Sequence, residues 1–255
     1  SRRITKRLTL FTYKHAKYIS TRDFNSIDTL TSIGIDKNKI NKTNEIVYLF
    51  PKDVLKHFNT ELNFNNSKRT LGITIHHLYY KKFMTKDNYI NHLKEFIDFT
   101  KEKYDLNVVF IPMEKQRNGK SDRMLINEVI GALKNQNNVK LIDLPFDPRY
   151  TLNLLSKIDF LYATKTHSVI YGLIMQIPLI AIAYAEKTMD FMKDFGLENY
   201  CVYLSGIDTN DCLRIFDSIV NNEIEIKKQI SNRLEIVKRD AFKNINIISY
   251  FIENE

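Results

Sequence analysis

The sequence predicts an α/β protein built on a parallel, doubly wound sheet with helices on both faces. Three observations lead there. From about residue 70, strand-like runs alternate with stretches of helical period. "LNVVFIP" is a β-branched run stopped by Pro112, and Ser121 and Pro148 stand where helices would start. Alternation of this kind builds βαβ units, and those produce a sheet covered on both sides.

Taken in order, "TLGITIHHL" reads as a strand and "DNYINHLKEFIDFTKEKY" as a helix with Tyr89, Leu93, Phe96 and Ile97 on one face. "LNVVFIP" is the next strand. After a polar loop, "SDRMLINEVIGALKN" opens on Ser121 and keeps the helical period. "NVKLID" is a strand, "DPRYTLNLLSKI" a short helix, "DFLYAT" a strand, "THSVIYGLIMQ" a helix and "PLIAIAY" a strand. Ahead of this series, "RLTLFTYKHAKYISTRDFNSIDTLTSIGI" offers a helix, a short strand at "YIS" and a second helix, and "NEIVYLFP" reads as another strand. That is half a sheet. Residues 1–66 are therefore expected to be the C-terminal part of an N-terminal α/β domain that is incomplete here, with the boundary in "NFNNSKRT". Residues 67–235 form the C-terminal domain, and residues 236–255 a helix that packs back across both.

Composition narrows the functional classes. With 255 residues, 44% hydrophobic and 12% aromatic, the chain can bury a core and is not a disordered one. Its net charge of +8 suits an anionic small molecule, a phospholipid surface or nucleic acid equally, or simply a basic solvated surface. No aromatic RNA-binding motif or zinc-finger spacing speaks for nucleic acid. The longest apolar run, "IPLIAIAY", is far below the roughly 20 residues of a membrane span. Cys201 and Cys212 lie in a stretch of weak secondary-structure signal, without a Cys-x-x-Cys pair or a secretory leader, so a reducing, cytoplasmic setting is expected. A P-loop, a Gly-x-Ser-x-Gly elbow and His-x-x-x-His spacing are all absent, and no metal is expected.

In an open α/β sheet, ligands gather at the carboxyl ends of the strands, where helix N-termini offer N–H groups to anions. "KTHS" falls at such a junction, so Lys165, His167 and Ser168 are candidate anion-site residues; the plainer reading has Thr166 capping the helix and His167 satisfying a carbonyl. His76 and His77 close another strand, and if they continue its alternation only one of them faces the site.

The run "DFLYATKTHSVIYGLIMQIPLIAIAYAEKTMDFMKDFGL" resembles the C-terminal signature of the polysaccharide pyruvyl transferase family: a strand, an Arg-x-His-Ser/Ala element, a helix of small residues, a Pro-headed strand, then Tyr-x-x-Lys. "YISTRDFNSIDTLTSIGI" is similar to the family's Arg-Asp-x-x-Ser element, and "VVFIPMEKQRNGKSDRMLINEVI" to its Phe-x-Pro stretch with a Ser-Asp helix start. The resemblance runs through most of the chain in the family's order. It implies a GT-B-like pair of Rossmann-like domains and transfer of a pyruvyl group from phosphoenolpyruvate to a sugar of a surface polysaccharide precursor, closing a ketal. Phosphoenolpyruvate is then the donor substrate, and no further cofactor is implied. The acceptor would be a sugar or lipid-linked saccharide, met at the inner face of the cell membrane through a peripheral contact, with no nucleic acid.

By the same resemblance His167 is the catalytic candidate, and Lys165, Ser168, Lys187 and Arg22 are candidates for holding substrate anions. Asp122 fits a helix start at least as well as a catalytic role. The chain departs from the family at Lys165, where arginine is usual, at Met113, where histidine is frequent, and in lacking a Gly-Gly-x-Asn-x-Gly-Asp opening. A lysine keeps the charge and loses the bidentate fork. Two alternatives stay open: a GT-B-like glycosyltransferase that uses a nucleotide sugar, and a non-catalytic relative that binds sugar phosphates.

Overall fold

Chain contacts divide the protein into two units, Ser1–Phe50 with Arg233–Glu255, and Pro51–Asn232. The computed structural model describes residues 2–64, 67–114, 121–145 and 147–253. The expected boundary at residues 66 and 67 touches residues outside that set, as does most of the polar loop before Ser121.

In the first unit, helix α1 (Arg2–His15) leads to strand β1 (Ile19–Thr21), helix α2 (Phe24–Ser32) and strand β2 (Ile40–Lys42). The strands pair in parallel, with Ile19 opposite Ile40. Helix α2 begins because Asp23, in extended backbone, accepts the Ser26 N–H at 2.7 Å. It ends at Gly34, whose φ of +99° lets Gly34 and Ile35 return their N–H groups to Thr31 and Leu30 at 2.9 and 3.1 Å. Ile19, Ile27, Leu30, Ile35 and Ile40 make the small core.

The strand expected at "NEIVYLFP" is a 3₁₀ turn, Ile46–Leu49, closed by bonds from Tyr48 N–H to Glu45 and from Phe50 N–H to Val47. In a strand, Ile46 and Tyr48 would share a face. Here Tyr48 is buried and Ile46 is half exposed, and Ile40–Lys42 takes the place beside β1.

The second unit holds β3 (Thr70–Thr74), α3 (Lys86–Tyr104), β4 (Asn107–Phe110), α4 (Asp122–Ala132), β5 (Val139–Leu141), α5 (Pro148–Leu155), β6 (Phe160–Ala163), α6 (Thr166–Ile174), β7 (Leu179–Ala183), α7 (Glu186–Asp194), β8 (Cys201–Tyr203) and α8 (Thr209–Asn221). The sheet runs β5-β4-β3-β6-β7-β8, and every neighbouring pair is parallel. All residues of β3, β4, β6 and β7 are buried, as a sheet covered on both faces requires. Helix α3 packs against α4 and α8, and α6 against α5 and α7, which gives the two covering layers.

Gly172 has a packing reason. A Cβ there would lie 2.8 Å from Leu161 Cδ2 and 3.1 Å from Leu179 Cδ2, so only glycine lets α6 settle this closely on β6 and β7. The cysteines sit in regular structure, contrary to the weak signal of their stretch: Cys201 opens β8 and Cys212 lies on α8. A three-residue edge strand is too short to show alternation, and α8 is marked by Cys212, Phe216 and Ile219 on its buried face. Both thiols are free, and burial pushes each up to about 12. Helix α9 (Glu223–Glu253) starts in the second unit, and its part from Arg233 onward belongs to the first, where Asn244 Nδ2 donates to the Asn44 carbonyl at 3.1 Å. No described helix is long and apolar enough to cross a membrane.

Candidate functional site

The chain builds the second unit outward from β3. It first lays β4 and β5 on one side, then returns to place β6 and the remaining strands on the other. β3 and β6 are therefore neighbours whose onward segments leave in different directions, the topology that opens a crevice beyond the strand ends. Three segments reach that end: Ile75–His76–His77 after β3, Ile111 to Glu114 after β4, and Thr164–Lys165 after β6.

Asp122, the first residue of α4, organises them. Its carboxylate is fully buried and accepts four hydrogen bonds. Oδ1 takes the His77 backbone N–H at 3.2 Å and His77 Nδ1 at 2.9 Å; Oδ2 takes the Met113 N–H at 3.1 Å and Lys165 Nζ at 2.8 Å. Burial on its own would raise this carboxyl, but Lys165 and His77 outweigh it and hold it below the ordinary aspartate value. Lys165 Nζ also reaches Glu114 Oε2 at 3.2 Å, and the same oxygen lies 3.2 Å from His76 Nε2. His76 Nδ1 accepts the Leu78 N–H at 3.0 Å, so the proton of its neutral ring sits on Nε2, facing Glu114. Burial, reinforced by the Lys165 charge, lowers His76 to about 4.

The two histidine rings stack, with centroids 5.2 Å apart and planes 11° from parallel. The expectation that adjacent histidines would face opposite ways fails because β3 ends at Thr74, two residues before His76, and alternation ends with the strand. Among the described residues, His76, His77, Glu114 and Asp122 bring possible ligand atoms within 4.8 Å of one another. The sequence carried part of this signal, since paired histidines close an apolar run. The partners Glu114 and Asp122 lie far along the chain and meet them only in the folded sheet.

The residues singled out from the sequence fall in different places. Lys165 is buried in this cluster. Ser168 is buried too, but its hydroxyl donates to the Lys165 carbonyl at 2.7 Å and accepts from Thr74 Oγ1 at 2.8 Å, so it ties β3 to α6. Thr166 does not cap α6. Lys165 is the N-cap residue and its side chain makes no capping bond, and Thr166 Oγ1 pairs with Thr188 Oγ1 at 3.0 Å. His167 is exposed on the first turn of α6, with its ring 6.3 Å from that of Tyr171. Lys187 is exposed on the first turn of α7, its ammonium 5.6 Å from the Tyr184 ring centroid. Ser121 precedes α4 as expected, without a capping bond from its side chain. Arg22 belongs to the other unit, where it pairs with Glu45 and Asp23 and lines a pocket of about 630 Å³ with Thr21, Ser26, Thr43 and Asn44.

Comparison with solved structures agrees with the α/β, GT-B-like fold class. A Listeria monocytogenes protein described as a candidate UDP-N-acetylglucosamine 2-epimerase is similar with a TM-score of 0.64 at 13% identity, over 96% of this chain and 62% of that one. The Neisseria meningitidis UDP-GlcNAc 2-epimerase bound to UDP-GlcNAc gives 0.62 at 15% identity, over 96% and 62%. Anabaena Alr3699/HepE in complex with UDP and glucose gives 0.59 at 12% identity, over 98% and 67%. The chain thus spans less than two thirds of the length of the two epimerase structures. No curated protein matches it in sequence. Residues 1–186 match the polysaccharide pyruvyl transferase family. With almost three quarters of its length in that match, and with the strand-end Lys165 and His167 inside it, the chain belongs to the polysaccharide pyruvyl transferase family.

Proposed function

We propose that the protein transfers a pyruvyl group from phosphoenolpyruvate to a sugar of a surface polysaccharide precursor. The observation that carries this reading is the start of α6: a helix N-terminus at the end of a central strand, where the N-cap residue Lys165 makes no capping bond and His167 is exposed. The unpaired N–H groups of a helix start attract phosphate and carboxylate. Lys165 has three N–H donors and, among the described residues, gives two of them to Asp122 and Glu114. Because its charge is shared with two acids, the backbone and His167 carry most of the anion recognition.

In the reaction, one sugar hydroxyl forms a bond to C2 of the enolpyruvyl group, the methylene carbon takes a proton, and phosphate leaves as a second hydroxyl closes the ketal. One proton enters at carbon and the two hydroxyls release two, so the site must pass protons on. His167 is the group open to solvent and substrate that can do this. Lys187, at the start of the neighbouring α7, adds positive charge on the same rim; Arg22, in the pocket of the other unit, is by itself a candidate for holding an anion. In this reading the acceptor is a sugar or a lipid-linked saccharide, the latter reached through a peripheral contact at the cytoplasmic face of the membrane.

A second reading, glycosyl transfer from a nucleotide sugar, draws on the neighbours of this fold that carry UDP-GlcNAc or UDP with glucose. Calorimetric titration of phosphoenolpyruvate, and separately of UDP, decides between them. Phosphoenolpyruvate is expected to bind and His167→Ala to weaken it at least about tenfold. Binding of UDP alone would replace the donor, and binding of neither would overturn both readings for this chain.

A further inference from the structure

Asp122 and Glu114 both hold the Lys165 ammonium, and the two acids are themselves held very differently. Asp122 is fully buried and accepts four hydrogen bonds, so it stays in place. Glu114 lies beyond the end of β4, its side chain is 30% exposed, and its polar contacts among the described residues all use one oxygen. That oxygen, Oε2, is 3.2 Å from Lys165 Nζ and 3.2 Å from His76 Nε2. Because His76 Nδ1 accepts the Leu78 N–H, the ring directs Nε2–H at Glu114. An ammonium and a buried imidazole N–H thus aim at a single point, and a carboxylate oxygen fills it.

We propose that His76 and Lys165 form a seat for one carboxylate, which Glu114 occupies as a built-in competitor and which a small substrate acid takes by displacing it. Charge favours exchange over addition. With neutral histidines, Asp122, Glu114 and Lys165 carry one net negative charge; a further anion beside them would make it two, whereas an anion in the place of Glu114 keeps it at one. Burying extra like charge is costly, and Glu114 is close enough to solvent to be rehydrated when it leaves. Lys165 is also the N-cap residue of α6, so the seat adjoins that helix start. The next step rests on the reading that phosphoenolpyruvate is the donor: its carboxylate goes to His76 and Lys165, and its phosphate to the backbone N–H groups of α6. Both groups hang from the same carbon of that molecule. Glu114 then weakens the apparent affinity, because only molecules in which it has left the seat can bind.

The test is calorimetric titration of the full chain with phosphoenolpyruvate, pyruvate and inorganic phosphate. Glu114→Ala should bind phosphoenolpyruvate and pyruvate at least about fivefold more tightly than wild type, and phosphate within about twofold. Glu186→Gln removes an exposed acid from the first turn of α7 without opening the seat, so it should leave phosphoenolpyruvate within about twofold. His76→Ala added to Glu114→Ala should cancel the gain, since the imidazole donor is lost. Glu114 is only partly buried, so the single variant decides the matter if the double variant fails to fold. Unchanged or weaker binding of both carboxylates in Glu114→Ala would overturn the seat. An equal gain for phosphate, or in Glu186→Gln, would do the same by reducing the effect to general charge, and so would a gain that survives in the folded double variant. A gain for pyruvate without any binding of phosphoenolpyruvate would support the seat and remove the donor reading; binding of phosphoenolpyruvate with no gain would keep the donor and overturn the seat.

Discussion

His77 and His167 come after neighbouring parallel strands, and the protein treats them in opposite ways. His77 is buried, held at Nδ1 by a fully buried aspartate and stacked on a second histidine; His167 stands exposed on the first turn of a helix. The difference comes from the path of the chain beyond each strand. After β6 it turns within two residues into α6, so His167 is carried up onto the helix rim. After β3 it continues past the strand before α3 begins, so His76 and His77 stay at sheet level, where α4 brings its first residue against them. The same residue type is a buried, hydrogen-bonded part of the strand-end cluster in one place and an exposed side chain on a helix in the other.

The comparison can be broken most sharply at Asp122. Asp122→Ala leaves Lys165 and His77 without their common partner and should cost about 3–5 kcal/mol in a denaturant titration, as loss of one member of a buried ion pair does. A cost within the range of ordinary surface changes would mean the buried cluster does not hold the strand ends together. Gly172→Ala, which forces a methyl between Leu161 and Leu179, should destabilise by about 1–3 kcal/mol. A neutral or stabilising result would show that α6, and His167 with it, is not fixed by close packing.

Acid titration separates the buried histidines from the rest. His76 falls to about 4 through burial and the Lys165 charge, and His92, which bonds Thr209 and Tyr162, falls to about 4 through burial. Unfolded, both bind protons near 6.5, so between about 6.5 and 4 the unfolded chain holds more protons than the folded one. Stability is full above that window and declines as pH drops through it. Asp122, held low, adds a further loss only below its ordinary value of 3.8. Melting temperatures from pH 7 to 4 should fall, and His92→Asn should remove part of the slope and leave the share due to His76. A flat profile in that variant would exclude a buried neutral His76.

At the exposed end the expected effects on stability are small. His167→Ala should change it by no more than about 0.5 kcal/mol while weakening phosphoenolpyruvate binding. Lys187→Ala should lose under about 1 kcal/mol, the size of an exposed contact with an aromatic ring. A large stability loss in either would mean that the rim is part of the core.

Much of the fold was legible because it is encoded locally. The helical face of α3, the Pro112 stop after β4, Pro148 opening α5 and the junction at "KTHS" all come from spacing and from residues with fixed backbone preferences. The errors came where local signal is weak. β8 has three residues, and the apolar "IVYL" closes into a 3₁₀ turn because strand pairing is decided by a distant partner. For the site, the sequence reached Lys165 and its position beside a helix start. It could not show that Ser168 ties two elements together, or that Lys165 shares its charge with Glu114 and Asp122.

By itself, then, the sequence determined the alternation of strands and helices, and the motif order that points to the family. Periodicity and turn chemistry are properties of neighbouring residues, and they survive without knowledge of contacts. Only the tertiary structure decided that His76 and His77 meet Glu114 and Asp122, and that His167 is left facing outward. Those facts depend on the order β5-β4-β3-β6 in the sheet, which brings His77 and Lys165 to Asp122 across more than 40 positions of the chain.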